Sequence, residues 1–239
     1  MRAPRSAAYK PAVPGLAIVC DFDGTATLLD IGDEISRRFA GADWLALQKQ
    51  LFLEGRLTTR AIIQSIYQPI RAAEEEIVSF AVGIARLRPG FAELVEAARD
   101  RAVPFFLASG GLRQYIEAVL AHHLAPELRA HVRIRANEAS FGPAGLRVSY
   151  PGDAESRAAG CEVCGSCKRV VVAEARRAGA SYVLGLGDGF ADRCLVQFAD
   201  RTFAREGSYL HRYCLEHRLA CTPFTDLHGA AEAVRSFPK

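Results

Sequence analysis

The chain has 239 residues, half of them apolar, so it can bury a sizeable core, which argues against intrinsic disorder. Its formal net charge is only +3, and no run of lysine or arginine stands out. These features argue against nucleic acid or an anionic membrane as a partner. The apolar stretches are also too short to cross a bilayer. Together these properties predict a protein that acts on a small molecule.

The N-terminal residues and the cysteine count bear on the cellular compartment. Pro11 and Pro14 interrupt any signal-peptide core, and no cleavage pattern follows them. The seven cysteines are an odd number in a chain without a secretory signal, which argues against a disulfide framework. A cytoplasmic protein is therefore expected, and the composition leaves its oligomeric state open.

Short apolar runs that end in glycine or polar residues predict the strands of a sheet. These runs cover residues 16–25, 103–111, 181–189 and 201–205. Helical patterns separate them, and this alternation predicts an α/β fold built on a doubly wound parallel sheet. Residues 131–152 alternate apolar and polar side chains around "GPAG", which predicts a small β-hairpin.

The first two predicted strands are separated by far more than the dozen residues that a crossover requires. Four segments of this region repeat apolar residues at three- and four-residue spacing, and a threonine cap in "LTT" precedes one of them. An inserted helical bundle is therefore predicted. The predicted boundaries are 1–28 with 86–239 for a catalytic core and 29–85 for the helical insert.

The first predicted strand ends in "DFDGT", which contains Asp21 and Asp23. Two carboxylates one residue apart face opposite sides of a regular strand, but a turn at Gly24 can bring both to one site. One carboxylate could then act as a nucleophile and the other as a proton carrier. The alternative is that Asp-Gly marks an ordinary turn and that both aspartates are solvated.

Two further strand ends carry polar residues that can bind a phosphate or a metal ion. Ser109 and Gly110 in "ASGG" precede a predicted helix, where a hydroxyl and free backbone N–H groups can hold a phosphate, although the same residues also form ordinary caps. Asp188 and Asp192 lie in "GLGDGFAD", and their oxygen atoms suit Mg²⁺. The glycines of this stretch do not match the dinucleotide pattern G-x-G-x-x-G.

Residues 161–168 read "CEVCGSCK", in which three cysteines at two-residue intervals precede Lys168. Zinc or a cluster would need a fourth ligand, from Cys194, Cys214, Cys221 or a histidine, and no fourth cysteine follows at ferredoxin-like spacing. A loop brace and a redox-sensitive pair are the other interpretations. A metal-free structural role is the preferred one.

Taken together, "DFDGT", "ASGG", the lysine of "CK" and "GDGFAD" resemble, in order, the four motifs of the haloacid dehalogenase-like hydrolase superfamily. The resemblance covers nearly the whole chain. It implies that Asp21 attacks phosphorus to form an aspartyl-phosphate and that Asp23 first protonates the leaving oxygen and then activates water. Dehalogenases of the superfamily lack the second aspartate of the first motif, so Asp23 favours a phosphohydrolase.

The resemblance also implies the remaining roles at the site. Ser109 and Lys168, with the backbone of Gly110, would hold the transferring phosphoryl group. Mg²⁺ would be bound by Asp21, the Asp23 carbonyl and Asp188, and Asp192 would support the metal shell. This assignment is chemically reasonable, because an anionic carboxylate can approach an anionic phosphate only if cations neutralise the charge.

The position of the insert, between the first and second motifs, resembles the helical cap of the phosphoserine-phosphatase-like branch. Asp30 stands where phosphoserine phosphatases carry a substrate-facing cap glutamate, and Arg56 and Arg60 are further cap candidates. The stretches "DIGDEISRRF", "EGRLTTRA", "CGSCK" and "FAREGSYLHRYC" resemble the sub-branch of methionine-salvage enolphosphate phosphatases. A small phosphorylated metabolite is the expected substrate, and phosphoserine, phosphocholine and phosphoethanolamine stay open as alternatives. A zinc- or cluster-binding module is the alternative from another class.

Overall fold

A computed structural model describes residues 15–161, 163–164 and 166–238. The expectation drawn from Pro11 and Pro14 therefore lies outside the described residues. Among the described residues, no helix combines the length and the apolar character that a membrane-spanning helix requires.

Seven strands form one sheet in the order β4-β3-β2-β1-β5-β6-β7. Every neighbouring pair is parallel except β3 with β4, which confirms the predicted, mostly parallel α/β sheet. The strands are β1 (Gly15–Cys20), β2 (Phe105–Leu112), β3 (Val132–Ser140), β4 (Arg147–Ser149), β5 (Ala180–Gly187), β6 (Arg201–Arg205) and β7 (Thr222–Phe224).

Twelve α-helices accompany these strands in the described part of the chain. They are α1 (Ile31–Phe39), α2 (Ala42–Leu53), α3 (Thr59–Tyr67), α4 (Glu74–Ile84), α5 (Phe91–Asp100), α6 (Arg113–His123), α7 (Pro126–Arg129), α8 (Asp153–Ala158), α9 (Lys168–Arg177), α10 (Arg193–Phe198), α11 (Tyr209–Glu216) and α12 (His228–Arg235).

The central strand β1 is buried on both faces, and its alternating side chains reach two separate layers of helices. Ile18 and Cys20 belong to one core cluster, with residues of α5, α6 and α12. Ala17 and Val19 belong to the other, with residues of α9 and α10. Because side chains alternate across a strand, this arrangement requires a continuous apolar run, which is the pattern that predicted the strand.

Three sequence expectations need adjustment. The first strand ends at Cys20 rather than at residue 25, because residues 22–26 form a tight turn. The predicted hairpin exists as β3 and β4, but β3 also pairs with β2, so the hairpin is one edge of the main sheet. Strand β7 was not predicted, because it has only three residues and contains Pro223.

The helices α1 to α4 form the insert between β1 and α5, and Thr58 caps α3 by accepting the N–H of Ala61 at 3.2 Å, as predicted. The two segments that connect the insert to the sheet run side by side. Thr27 and Leu87 form an antiparallel bridge, and the N–H of Leu28 donates to the carbonyl of Arg86 at 3.0 Å. The chain therefore leaves and re-enters the α/β core at one place, beside the carboxyl end of β1.

Candidate active site

A cavity of about 480 Å³ opens at the carboxyl ends of β1, β2 and β5. This edge of a parallel sheet is where α/β proteins place their ligands. The helical insert covers part of the cavity, and α9 begins at its floor. The lining includes most of the predicted site residues, namely Asp21, Asp23, Ser109, Gly110, Lys168, Asp188 and Asp192.

The turn after β1 brings Asp21 and Asp23 to the same cavity. Gly24 within this turn has a φ of +74°, and a Cβ atom there would lie 2.6 Å from Oδ2 of Asp188, so the position requires glycine. The buried guanidinium of Arg88 donates to the carbonyl oxygens of Thr25 and Gly24, each at 2.7 Å. The sequence analysis missed Arg88, since it lies 63 residues further along the chain than Thr25.

Three carboxylates meet at the floor of the cavity. One oxygen from each of Asp21, Asp188 and Asp192 lies within 4.8 Å of the others. Nζ of Lys168 lies 2.8 Å from Oδ1 of Asp21 and also donates to Asp192. Burial acts to lower the pKa of Lys168, but the charges of Asp192 and Asp21 outweigh it and raise the pKa. Lys168 is therefore a fixed cation at neutral pH.

The remaining oxygen of Asp192 supports the loop that carries Asp188. Its Oδ2 accepts the backbone N–H groups of Asp188 at 2.9 Å and of Gly189 at 2.8 Å. A Cβ at Gly187 would lie 2.4 Å from Cγ of Asp192, so the strand end must be glycine for the carboxylate to fit. Asp192 is fully buried and thus positions its neighbours.

The charge balance of this floor suits a divalent cation. Burial, and next the charge of Asp192, raise the pKa values of both Asp21 and Asp188. Asp188 accepts hydrogen bonds from Thr25 and from Arg205, each at 2.8 Å. Among the described residues, Lys168 is the only salt-bridge partner of Asp21. Clustered carboxylates that repel one another in a buried site, with hard oxygen donors, fit Mg²⁺.

Asp23 lies on the insert side of the cavity. Its Oδ2 accepts the hydroxyl of Tyr115 at 2.7 Å and that of Ser109 at 3.2 Å, and its Oδ1 accepts the N–H of Ile31 at 3.0 Å. Burial raises the pKa of Asp23 to about 6, while the hydrogen bonds from Tyr115 and Ile31 act to lower it. A carboxyl group with this pKa can both give and take a proton near neutral pH.

Tyr115 was missed by the sequence analysis and offers a direct test of Asp23. The Tyr115→Phe variant removes a hydrogen bond that stabilises the carboxylate form, so the pKa of Asp23 should rise. If Asp23 must be protonated to act as an acid, the alkaline limb of the kcat profile should move upward by about one pH unit. Measuring kcat from pH 5 to 9 gives the shift. Tyr182→Phe, at the opposite end of the sheet, is the control, and an unchanged limb for Tyr115→Phe would contradict the role.

The "ASGG" stretch differs from the expectation in one respect. Residues 109–111 stay extended as part of β2, and α6 begins only at Arg113, so the glycines do not form the first turn of the helix. The Oγ of Ser109 accepts the N–H of Gly111 at 2.8 Å. Asn137, fully buried, donates to the carbonyl of Gly110 at 2.7 Å and holds this segment in place.

The three residues proposed on the insert lie in different places, and not all of them reach the cavity. Asp30 lines the cavity and accepts the N–H of Asp33 at 2.8 Å as the N-cap of α1. Arg56 is exposed and lies 3.8 Å from Glu54. Arg60 pairs with Asp153 and stacks over Tyr150 at 4.5 Å, outside the cavity lining. The structure thus brings only Asp30 to the site, and Arg60 ties α3 to the core.

The part of the cavity lining that α2 and α3 supply is largely apolar. The sequence analysis did not select these side chains because the orientation of those helices was unknown. Phe52 also packs edge-on against Phe190 of the loop after β5, with ring centroids 4.9 Å apart. The apolar wall comprises Phe52, Leu53, Ile62, Ile63 and Ile66.

Sequence comparisons agree with this geometry. A family model described as haloacid dehalogenase-like hydrolase matches residues 18–197, more than half of the chain. The 2-hydroxy-3-keto-5-methylthiopentenyl-1-phosphate phosphatase of Geobacillus thermodenitrificans is 30% identical over 212 residues, which cover 88% of this chain and 91% of that protein. The protein of the same name from Bacillus velezensis is 28% identical over 223 residues, 92% of this chain and 89% of that one.

Solved structures share the fold. A phospho-aspartyl intermediate analogue of phosphoserine phosphatase has a TM-score of 0.68 at 17% identity, over 91% of this chain and 97% of that chain. A substrate-bound phosphoserine phosphatase complex has a TM-score of 0.68 at 16% identity, over 93% of this chain and 99% of that chain. The resemblance inferred from the four sequence motifs is confirmed.

Proposed function

The chain belongs to the haloacid dehalogenase-like hydrolase family and is a phosphomonoester hydrolase, and we propose that its reaction passes through a phosphoryl group bound to Asp21. One observation carries this proposal. Asp21 lies buried beside the fixed cation Lys168, while Asp23, with a pKa of about 6, lines the same cavity. A nucleophile, a charge-neutralising group and a proton carrier are therefore within reach of one substrate.

In the first step, a carboxylate oxygen of Asp21 attacks phosphorus while the ester P–O bond breaks. Asp23 gives its proton to the leaving oxygen, so the organic part departs as an alcohol or enol. Lys168, Ser109 and the backbone of Gly110 hold the oxygens of the phosphoryl group. Lys168 is 4% exposed, so its charge is screened little by water and acts strongly on the transferring group.

In the second step, water attacks phosphorus on the side that the leaving group has vacated. Asp23, now ionised, takes a proton from that water, and the bond between phosphorus and the Asp21 oxygen breaks. Free phosphate leaves, and both carboxyl groups return to their starting protonation. The raised pKa of Asp23 suits both halves of this cycle, since the group changes protonation near neutral pH.

The carboxylate cluster would hold Mg²⁺ through Asp21, Asp188 and the backbone carbonyl of Asp23, with Asp192 as a support. Bound there, the ion would supply positive charge against the anionic phosphoryl group. Asp192 fits a supporting role because both of its oxygens are engaged by Lys168 and by backbone N–H groups.

Metal removal tests this part of the proposal. Activity of the purified protein on a phosphate ester should fall to background in EDTA and return when excess Mg²⁺ is added after the chelator is removed, because the carboxylates alone repel the substrate. Turnover in the two states is measured with the same substrate. Full activity in EDTA would contradict the Mg²⁺ requirement.

We propose that residues 29–85 form a cap over a core of residues 1–28 and 86–239. The two connecting segments support this division, because they run side by side at the bridge between Thr27 and Leu87 and join the insert to the core at one place. The contact of α2 with the loop after β5, between Phe52 and Phe190, would help the cap to exclude water from the cavity.

The apolar wall narrows the substrate class. Phe52 and the isoleucines of α3 would contact an aliphatic segment more favourably than a zwitterionic amino acid, whose charges would lose hydration there. The relatives named 2-hydroxy-3-keto-5-methylthiopentenyl-1-phosphate phosphatase act on a molecule whose thioether end is apolar. We propose the same enolphosphate class as the substrate.

A substrate panel tests this choice. The values of kcat/KM should be highest for the methylthiopentenyl enolphosphate and lower for phosphoserine, phosphocholine and phosphoethanolamine. Phe52→Ala should reduce kcat/KM for the enolphosphate about tenfold or more through lost apolar contact, with little change for a small ester such as methyl phosphate. Preference for phosphoserine across the panel would overturn the substrate proposal and leave the phosphatase chemistry intact.

A further inference from the structure

The cysteine-rich stretch before Lys168 is not used by the phosphatase chemistry. It forms the connection between α8 and α9, and its cysteines at positions 161, 164 and 167 all lie among the described residues. Cys164 and Cys167 are buried, whereas Cys161 is half-buried. All seven cysteines of the chain are described, and each one is a free thiol.

The fold distinguishes Cys194 among the fourth-ligand candidates that the sequence offered. Cys194 lies in the first turn of α10, and its Sγ lies 3.9 Å from that of Cys167. A disulfide bond requires about 2.05 Å, so the two sulfurs are not bonded. Four sulfurs arranged tetrahedrally around zinc, with Zn–S distances of about 2.3 Å, lie about 3.8 Å apart. The spacing of this pair is therefore compatible with two ligands of one zinc ion.

The thiols of Cys164 and Cys161 also influence the pKa of Cys167. Hydrogen bonds from Cys164, and next from Cys194, lower the pKa of Cys167, with a smaller one from Cys161. The backbone N–H of Arg169, in the first turn of α9, also donates to Cys167 and favours its thiolate. The pKa of Cys194 is raised by its hydrogen bond to Cys167 and then by burial. The thiols of Cys164, Cys194 and Cys161 thus all act to stabilise the Cys167 sulfur as an anion.

We propose a structural zinc site whose four ligands are the thiolates of Cys161, Cys164, Cys167 and Cys194. Zinc would replace the protons of the thiols and form four Zn–S bonds, without any change in oxidation state. Among the described residues, the carboxylate cluster is the only group of three or more potential ligands whose donor atoms all lie within 4.8 Å of one another. The four sulfurs are therefore more widely spaced than zinc ligands, and zinc binding would draw the cysteine loop inward. This site is separate from the Mg²⁺ site and does not depend on the proposed phosphatase mechanism.

The sequence analysis preferred a metal-free role for these cysteines and found no fourth cysteine at ferredoxin-like spacing. Cys194 changes that preference, since it comes from a helix 27 residues further along the chain and meets Cys167 across the fold. The loop supplies three thiols and α10 supplies the fourth, and Cys₄ is a common ligand set of structural zinc.

The site would fix the loop on which Lys168 depends. Cys167 is directly N-terminal to Lys168, and Cys194 lies two residues after Asp192, to which Lys168 donates. The same loop touches the insert, because the N–H of Arg60 donates to the carbonyl of Val163 at 2.9 Å. Zinc at this position would cross-link α9 to α10 and brace the first residues of α3.

Metal content tests the proposal directly. Protein produced in zinc-containing medium and purified without added metal should contain close to one zinc per chain by elemental analysis. Cys194→Ser and Cys167→Ser should lose this zinc, whereas Cys221→Ser, a half-buried cysteine outside the group, should retain it. Absence of zinc from the wild type, iron in its place, or zinc retained by Cys194→Ser would overturn the proposal.

A second measurement needs no variant and covers the case in which Cys194→Ser does not fold. Wild-type protein is treated with a thiol alkylating reagent with and without bound zinc, and the modified cysteines are mapped by mass spectrometry. Zinc should protect the four proposed ligands, and Cys221 should react equally in both states. Co²⁺ added to zinc-stripped protein should give the intense visible bands of tetrahedral thiolate coordination. Equal alkylation in both states together with absent Co²⁺ bands would refute the site.

Discussion

Asp21→Asn should lower kcat on any phosphate ester by at least about 10³-fold while the fold stays intact. The amide of asparagine is a much weaker nucleophile than the carboxylate of Asp21. Asp192, the other carboxylate beside Lys168, is fully buried and has both oxygens engaged by Lys168 and by backbone N–H groups. Ser109 is occupied by hydrogen bonds to Gly111 and Asp23. The measurement is the initial rate at saturating substrate and Mg²⁺, with Asp43→Asn, an exposed residue of α2, as the control.

The melting temperature of Asp21→Asn shows whether its loss of activity is a chemical effect or a result of misfolding. Asp21 lies among like charges, and burial and Asp192 raise its pKa, so the neutral amide relieves repulsion in the metal-free protein. The melting temperature of Asp21→Asn without Mg²⁺ should therefore equal or exceed that of the wild type. Near-normal turnover by a folded Asp21→Asn variant would remove Asp21 from the role of nucleophile.

Chemical trapping would identify the intermediate itself. Borohydride reduces an acyl phosphate but not a free carboxylate, so wild-type protein quenched during turnover should carry homoserine at position 21. Peptide mapping would locate the change. The Asp21→Asn variant treated in the same way should give none, and reduction at another residue would point to a different nucleophile.

The sequence predicted the sheet, and it selected most of the polar residues that line the floor of the cavity, because both depend on local patterns. A buried central strand requires an unbroken apolar run, and the carboxyl ends of parallel strands meet at one edge, so the order of the motifs along the chain is enough to place Asp21, Ser109 and Asp188 together. The end of β1 was less predictable. Asp23 reaches the cavity only because Gly24 adopts a positive φ, and the resulting turn is held by Arg88.

Residues that act across the fold escaped prediction for a physical reason. Tyr115 reaches Asp23 across 92 positions of sequence, so this contact leaves no spacing pattern. Cys194 was one of several candidates for a fourth ligand, and its contact with Cys167, across 27 positions, appears only in the fold. Arg60 was selected because it lies on the insert, yet its guanidinium pairs with Asp153 outside the cavity. A helix pattern shows which residues share a face, but not which face meets the substrate.

Lys168→Met should have two effects, a loss of activity and a loss of stability at neutral pH. Lys168 is the only ammonium group in contact with Asp21 and Asp192 among the described residues. Removing one partner of a buried ion pair leaves unpaired charge and costs about 3–5 kcal/mol of unfolding free energy. Chemical denaturation at pH 7.5 without Mg²⁺ measures this loss. Arg177→Met, an exposed residue at the end of the same helix, should change it by only a few tenths of a kcal/mol.

The pH dependence of that loss distinguishes charge repulsion from a packing defect. Burial raises the pKa of Asp21 even with Lys168 present, and without the ammonium it should rise further. A carboxyl group with a raised pKa binds its proton more readily in the folded state, so folding stability falls as pH rises between the unfolded and the folded pKa values. The deficit of Lys168→Met relative to the wild type should therefore shrink as pH falls from 7.5 towards 5. A packing defect would give the same deficit at each pH.

Adding Mg²⁺ separates the effect of Lys168→Met on stability from its effect on activity. A cation that binds the folded carboxylate cluster and not the unfolded chain stabilises the variant by mass action, so millimolar Mg²⁺ should recover part of the lost stability. It should not recover kcat, since the phosphoryl group would still lack the ammonium of Lys168 at its side. Stability restored by Mg²⁺ without activity would separate the two roles of Lys168, which neutralises the carboxylates at rest and the phosphoryl group during transfer. Recovery of both would assign it the first role alone.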